Sequence, residues 1–140
     1  MIVKAESNHL KDITAIENQS FGRPWSLQSF LSEFSNKTSS NWVYMKNNRV
    51  AGYLFGWKID HDYHINNIAV DLLERRKGIA GKMINNIIFN LNIKKIFLEV
   101  SNFNQEAISL YQKLGFKESG SRIKYYHDGS DAILYELEIK

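Results

Sequence analysis

Between residues 75 and 83 the chain reads RRKGIAGKM. Three successive cations, Arg75, Arg76 and Lys77, run into Gly78, Ile79, Ala80 and Gly81. An extended run ending in NNIAV precedes them, and Ala80, Met83, Ile84, Ile87, Ile88 and Leu91 follow at helical spacing. Gly78 and Ile79 therefore fall in the first turn of a helix. There the leading N–H groups lack partners, and the macrodipole leaves partial positive charge. Gly78 lets a ligand approach the backbone, and small Ala80 keeps that approach open. A phosphate or pyrophosphate is the chemistry such a start suits. The same residues also fit a solvated basic turn with Gly78 as its joint, and spacing does not separate the two. The P-loop pattern is absent.

Other chemically capable residues carry two readings each. Glu99 lies in IFLEV between apolar neighbours. Buried, its carboxylate needs a partner or water; at a strand edge it simply faces solvent. Tyr111 shares a helical face with Ala107, Ile108 and Leu114, which suits a core tyrosine. Asn104 stands where a helix N-cap is expected. Trp25, Tyr125 and Tyr126 either border an acceptor groove or pack the end of a sheet and the start of a helix. The four histidines show no metal spacing, although His61 and His64 bracket a turn, and no metal is expected. There is no cysteine, so disulfides, thiolate metal sites and a cysteine nucleophile are excluded.

The composition bounds the rest. The 140 residues suit one domain with a substantial core, and 44% apolar with 24% charged residues is ordinary for a globular protein. Aromatic residues at 13% exceed what a core needs, which leaves some for a groove. The start MIVKAESNHLKDI turns polar at once, unlike a signal peptide. No apolar run approaches the roughly 20 residues of a membrane span. A cytoplasmic protein with no membrane partner is expected. A net charge of +3 with one dense basic cluster points to a local anion site, not to direct nucleic-acid binding.

These residues must be positioned by elements that the pattern also reveals. MIVKA reads as a first strand. SNHLKDITAIENQSF places Leu10, Ile13 and Ile16 on one helical face behind a Ser7 or Asn8 cap. Ser26 caps a second helix with the stripe Leu27, Phe30, Leu31 and Phe34. WVYMK and RVAGYLFGW flank the turn Asn47-Asn48, and YHINNIAV follows after DHD. The amphipathic helix after the basic stretch leads to the strand KKIFLEV. NQEAISLYQKL is then a helix stopped by Gly115. FKESGSRIKYY and DAILYELEI close the chain as two strands joined around Asp128-Gly129. The order β-α-α-β-β-β-α-β-α-β-β predicts an α/β (α+β) mixed sheet of about seven strands, mostly antiparallel, with helices on both faces.

In this frame the basic stretch becomes recognisable. Arg75-x-x-Gly78-x-Ala80 resembles the Q/R-x-x-G-x-G/A signature of the GNAT family of N-acetyltransferases, with Ala80 where Gly is commoner. IFLEVSNFNQEAISLYQKLGF is similar to the L-E-V-x-x-x-N-x-x-A-x-x-L-Y-x-x-L-G-F block of the branch that acetylates protein N-termini, the RimI-like ribosomal-protein alanine N-acetyltransferases above all. PWS near residue 25 and YY…DAI near the C-terminus extend the likeness over nearly the whole chain. SFGRPWS carries two residues, Gly22 and Arg23, beyond that branch's FPWS. The resemblance implies a GNAT fold over residues 1–140 and acetyl-coenzyme A as co-substrate. It implies donor contacts from Ile68, Ala69, Val70, Arg75, Arg76, Lys77, Gly78, Ile79, Ala80, Gly81, Asn104 and Tyr111. It further implies Glu99 as general base and Tyr111 as the phenol at the thioester sulfur, with Trp25, Tyr125 and Tyr126 around the acceptor.

The function so implied is acetylation of a protein N-terminal α-amine, with a ribosomal protein as partner. One magnitude favours that acceptor over lysine. With pKa values of about 7.7–8.0 against about 10.4, roughly 10% of an α-amine is neutral at pH 7, against well under 0.1% of a lysine. The same fold acting on a small-molecule amine is the nearest alternative. A non-catalytic coenzyme-binding or RNA-associated module is a more distant one.

Overall fold

A computed structural model describes the chain throughout, residues 1–140. β1 (Ile2–Lys4) leads through a 3-10 turn at Ser7–His9 into α1 (Leu10–Ser20) and α2 (Leu27–Phe34). Next come β2 (Ser39–Lys46), β3 (Arg49–Ile59) and β4 (Asp62–Val70). A second 3-10 turn, Leu72–Glu74, precedes α3 (Ile79–Asn90), β5 (Lys95–Ser101), α4 (Gln105–Lys113), β6 (Lys117–Arg122) and β7 (Ala132–Glu138). The order of strands and helices is the one expected from periodicity. All seven strands join one sheet, ordered β1-β2-β3-β4-β5-β7-β6, and only β4 and β5 run parallel.

Local chemistry sets the turns. Asn47 and Asn48 both take positive φ, 54° and 63°, as a two-residue hairpin that follows the strand twist requires. Gly115, at φ 98°, ends α4: its N–H reaches the Gln112 carbonyl, and the Phe116 N–H reaches that of Tyr111. That double closure is the Schellman arrangement.

Each face of the sheet has its own core. Ile79, Met83, Ile84 and Ile87 of α3 pack with Ile108 and Tyr111 of α4 against Ile96, Leu98 and Val100 of β5. On the opposite face Leu10, Ile13 and Ile16 of α1 and Phe30 of α2 meet Val43, Tyr53, Phe55 and Ala69. Gly56 is required where it stands, since a Cβ there would run into the Tyr63 ring.

Two irregularities in β4 shape the surfaces around it. Phe55 pairs with Asn67 and Gly56 with Ile65, which leaves Asn66 as an extra, bulged residue. The bulge reverses the alternation: Tyr63 and Ile65 join the α3/α4 core, whereas Asn67 reaches α1. The second irregularity is a split. β4 and β5 are registered only at Asp62↔Lys95, Tyr63↔Ile96 and His64↔Phe97, and beyond these pairs the strands part.

Some local expectations are corrected. Ser7 and Asn8 lie inside the 3-10 turn, and Glu6 with His9 forms the capping box instead. The stripe of α2 is only half used, with Phe30 buried and Leu27 and Leu31 exposed. This eight-residue helix turns only its Phe30/Phe34 edge toward the sheet, where both rings meet Phe55. Tyr125 and Tyr126 lie in the loop after β6, because Lys124 takes φ 53° and turns the chain out of the strand.

Candidate active site at the strand split

On the α3/α4 face an open groove of about 930 Å³ runs from the basic turn to α4. Ile68–Val70 of β4 form its floor, the start of α3 one wall, and Asn104 with α4 the other. Arg75, Arg76, Gly78, Ile79, Ala80, Gly81 and Tyr111 also line it. Gly78 is the N-cap of α3, just before the first turn in which the apolar stripe placed it, and takes φ 79°. No side chain caps this helix, so its first N–H groups face the groove without a side-chain acceptor. Nothing lies within 4 Å of where a Cβ would stand at Gly78, so space is open beside the amides.

The three cations differ in their duties. Arg75 donates from Nε to the Val70 carbonyl (3.0 Å) and from Nη2 to Ser20 Oγ (3.1 Å), bracing the turn against β4 and α1. Lys77 is turned to Glu74 at 3.0 Å, which Lys46 also approaches at 2.7 Å, and it lies outside the groove lining. These bonds hold the Glu74 carboxyl below its usual range. Arg76 makes no ion pair and lines the groove. The full charge available to an anion is therefore smaller than three adjacent cations suggest, because Lys77 is paired with Glu74 and Glu74 itself lines the groove.

Asn104 caps α4, its Oδ1 accepting from the Ala107 N–H at 3.1 Å. Tyr111 is buried against Phe116, with centroids 5.5 Å apart, yet forms part of the groove lining. A phenol is protonated at neutral pH already, and burial pushes that of Tyr111 further up from its ordinary value.

Glu99 lies on the other face. Leu98 and Val100 point into the α3/α4 core, so strand alternation turns Glu99 toward the side of α1 and α2. Its carboxylate is half-buried and 4.0 Å from Arg122. Arg122 in turn lies 5.4 Å over the Tyr125 ring, which stands edge-on to Tyr126. Burial, then the Glu99 charge, push the Tyr126 phenol up to about 12. Glu99, Arg122, Tyr125 and Tyr126 thus form one cluster outside the groove.

Trp25 is on this face too, packed against Phe30 and Phe55. Its backbone N–H donates to Glu17 Oε2 at 2.9 Å. Glu17 is 2% exposed and accepts also from Tyr53 Oη (2.5 Å) and Asn67 Nδ2 (2.8 Å). Arg23, in the lengthened loop before Trp25, meets His127 Nε2 at 2.9 Å and so links that loop to the one carrying Tyr125 and Tyr126. Pattern reading missed Glu17, Arg122, Ser20 and the Arg23–His127 link. Glu17 occupies the i+4 position from the buried Ile13, the one available signal that it faces the core.

Comparison with known proteins agrees with this architecture. The model of the acetyltransferase (GNAT) family matches residues 10–116. The [ribosomal protein bS18]-alanine N-acetyltransferase of Escherichia coli is 31% identical over 99% of this chain and 97% of its own. The crystal structure of the E. coli ribosomal-protein-S18-alanine N-acetyltransferase aligns over 100% of this chain and 94% of that one, with TM-score 0.90 and 30% identity. An uncharacterized N-acetyltransferase of Methanocaldococcus jannaschii is 33% identical over 96% of this chain and 88% of its own. A Mycobacterium leprae relative, 29% identical over 88% of this chain, is much longer, and the match spans 36% of it. With the signature turn, the parting strands and these matches together, the chain belongs to the acetyltransferase (GNAT) family.

Proposed function

We propose that the protein transfers the acetyl group of acetyl-coenzyme A to the N-terminal α-amine of an acceptor protein. The acceptor class is an alanine-starting ribosomal protein, as in the name of the E. coli relative. The reading assigns this activity to residues 1–140 as one catalytic domain acting in the cytoplasm. One observation supports it most: β4 and β5 part past His64 and Phe97, with the groove on one face of the sheet and the Glu99 cluster on the other.

The groove fits the donor. An uncapped helix start beside Arg76 suits a pyrophosphate. A volume of about 930 Å³ is in the range of sites that take cofactor-sized ligands. The parted edge of β4 at Ile68–Val70 leaves alternate backbone groups without a β5 partner, ready to hold an extended arm and polarise a carbonyl. Bound acetyl-coenzyme A supplies an activated thioester.

This chain's residues then divide the proton work across the sheet. Glu99 accepts the proton of the incoming amine from the α1/α2 side. Tyr111, protonated in its buried site, donates a hydrogen bond to the departing sulfur from the α3/α4 side. A thiol of pKa about 8.5 leaves near neutral pH with little assistance, so hydrogen bonding and positioning suffice. With no cysteine in the chain, direct attack by the amine needs no thioester on the enzyme. Tyr125, Tyr126 and Trp25 supply the aromatic walls of the acceptor side.

The test is acetylation of an alanine-starting peptide with a free N-terminus, beside the same peptide blocked at its α-amine and a panel of small amines. The expected result is transfer to the free α-amine only. Transfer to a small amine with none to the peptide would refute the acceptor assignment and leave the donor site standing.

A further inference from the structure

A second cavity, of about 370 Å³, opens on the α1/α2 face between α2 and the bulge of β4. Trp25, Ser29, Ser32, Glu33, Trp57 and Asn66 line it, and none of these lines the donor groove. Its polar groups are unevenly satisfied. Ser32 donates to the Ser29 carbonyl at 2.8 Å, and the Ser29 hydroxyl meets that of Ser26 at 3.0 Å. Glu33 Oε1 accepts from Trp57 Nε1 at 2.6 Å and from Ser39 Oγ at 3.4 Å, which leaves Oε2 without a partner. Asn66 Nδ2 is buried and has no hydrogen-bond partner, a condition shared only with Asn86 Nδ2. A buried donor left unpaired costs its whole desolvation, so this amide is set for an acceptor brought from outside.

The place of the cavity says what would bring it. Asn66 is the bulged residue two positions past His64, where pairing with β5 ends. Glu99 lies two positions past Phe97, the matching last residue on β5, and faces the same side of the sheet. A chain whose terminal amine reaches Glu99 beside the split from the α1/α2 side therefore has β4, with Asn66, beside its next residues.

Resting on the N-terminal acetyltransferase reading, we propose that this cavity receives the acceptor residues just after the terminal one and selects a basic side chain among them. The free oxygen of Glu33 pairs with the cation, and no Lys or Arg lines the cavity to neutralise that carboxylate first. The indoles of Trp25 and Trp57 offer apolar and cation-binding surface to the stem and head of a Lys or Arg. Asn66 Nδ2 donates to an acceptor backbone carbonyl, which any sequence supplies. Glu33 and the two tryptophans thus set specificity, while Asn66 sets register.

The test is steady-state acetylation of alanine-starting peptides that carry Arg, Lys, norleucine or Glu at positions two and three. The enzymes are the native protein, Glu33→Gln and Asn66→Ala. The native enzyme is expected to favour Lys over norleucine by about tenfold in kcat/KM, mainly through KM, with a preference that shrinks in high salt. Glu33→Gln keeps an oxygen for Trp57 and should bring the ratio to within about threefold. Asn66→Ala should raise KM for every peptide by a similar factor and leave the ratio intact. Equal rates across the series, or a basic preference that survives Glu33→Gln, would overturn the cavity assignment. Equal rates in the native peptide series overturn the assignment even if a variant fails to fold. Should no peptide be acetylated while small amines are, the N-terminal reading falls, and this inference with it.

Discussion

Glu17 offers the sharpest test of how the acceptor side is held. Its carboxylate is almost fully buried and is the common acceptor for Tyr53 Oη, Asn67 Nδ2 and the Trp25 N–H. Tyr53 and Asn67 are themselves 0% and 7% exposed, so water cannot readily replace the lost acceptor. In Glu17→Ala each orphaned donor costs about 1–3 kcal/mol. Three of them, less the relief of no longer burying a carboxylate, give a loss of roughly 3–5 kcal/mol, as for breaking other buried charged networks. Against a total stability of about 5–15 kcal/mol this is large, and it lowers Tm by roughly 10–20 °C. Glu17→Gln keeps one oxygen but sets an amide donor against a donor, for about 2 kcal/mol. Tyr53→Phe removes one donor and costs about 1–2 kcal/mol. Urea unfolding followed by circular dichroism measures all three, and the Glu17→Gln/Tyr53→Phe pair should depart from additivity by at least about 0.5 kcal/mol. Since Trp25 hangs from this carboxylate, Glu17→Gln should also raise the peptide KM more than the donor Kd. A loss below about 1 kcal/mol in Glu17→Ala, or strict additivity of the pair, would refute the network.

Three further outcomes are expected. Gly78→Glu places a charged side chain at a positive-φ position in the groove, and calorimetry should show acetyl-coenzyme A binding weakened by about tenfold or more with the fold retained; unchanged affinity would remove the pyrophosphate from this turn. Glu99→Gln should lower kcat by roughly 10²-fold at pH 7 with donor Kd unchanged. That deficit should narrow as pH passes about 8, where the free α-amine is already neutral, so a pH-independent deficit would exclude Glu99 as the base. Tyr53, Tyr63 and Tyr111 all have phenols raised by burial above the ordinary 10.0, so the native state holds protons that the unfolded chain releases. Their stabilising contribution is complete below about pH 10 and falls above it by up to about 1.4 kcal/mol per pH unit for each phenol, which an alkaline denaturation series would detect.

Arg75 ties the basic turn to Val70 and Ser20, while Arg76 lines the groove unpaired. Loss of Arg75 therefore disturbs the floor at Val70 and the end of α1 as well as the proposed anion site. Arg23, in the loop before Trp25, reaches His127 in the same way and links that loop to the one carrying Tyr125 and Tyr126.

What the sequence by itself determined is local. Apolar residues at period 3.6 located the stripes of α1 and α3, and the Asn47-Asn48 pair located a hairpin. Gly115 closed α4 and Asn104 capped it, because these choices depend only on neighbours within a few residues. The run from Arg75 to Gly81 marked an uncapped helix start behind a glycine for the same reason, since that is a short-range arrangement. The tertiary structure decided everything that needed a distant partner. Glu17 reads as one more polar residue in AIENQS until Tyr53, Asn67 and Trp25 surround it from 36, 50 and 8 residues away. Lys46 reads as unconnected to the basic turn until it meets Glu74 from 28 residues away. Glu99 and Tyr111, 12 positions apart, read as neighbours in one motif, yet alternation and the crossing of α4 set them on opposite faces. In the proposed mechanism they serve one reaction because β4 and β5 part after three pairs, and that parting belongs to the sheet, not to either strand.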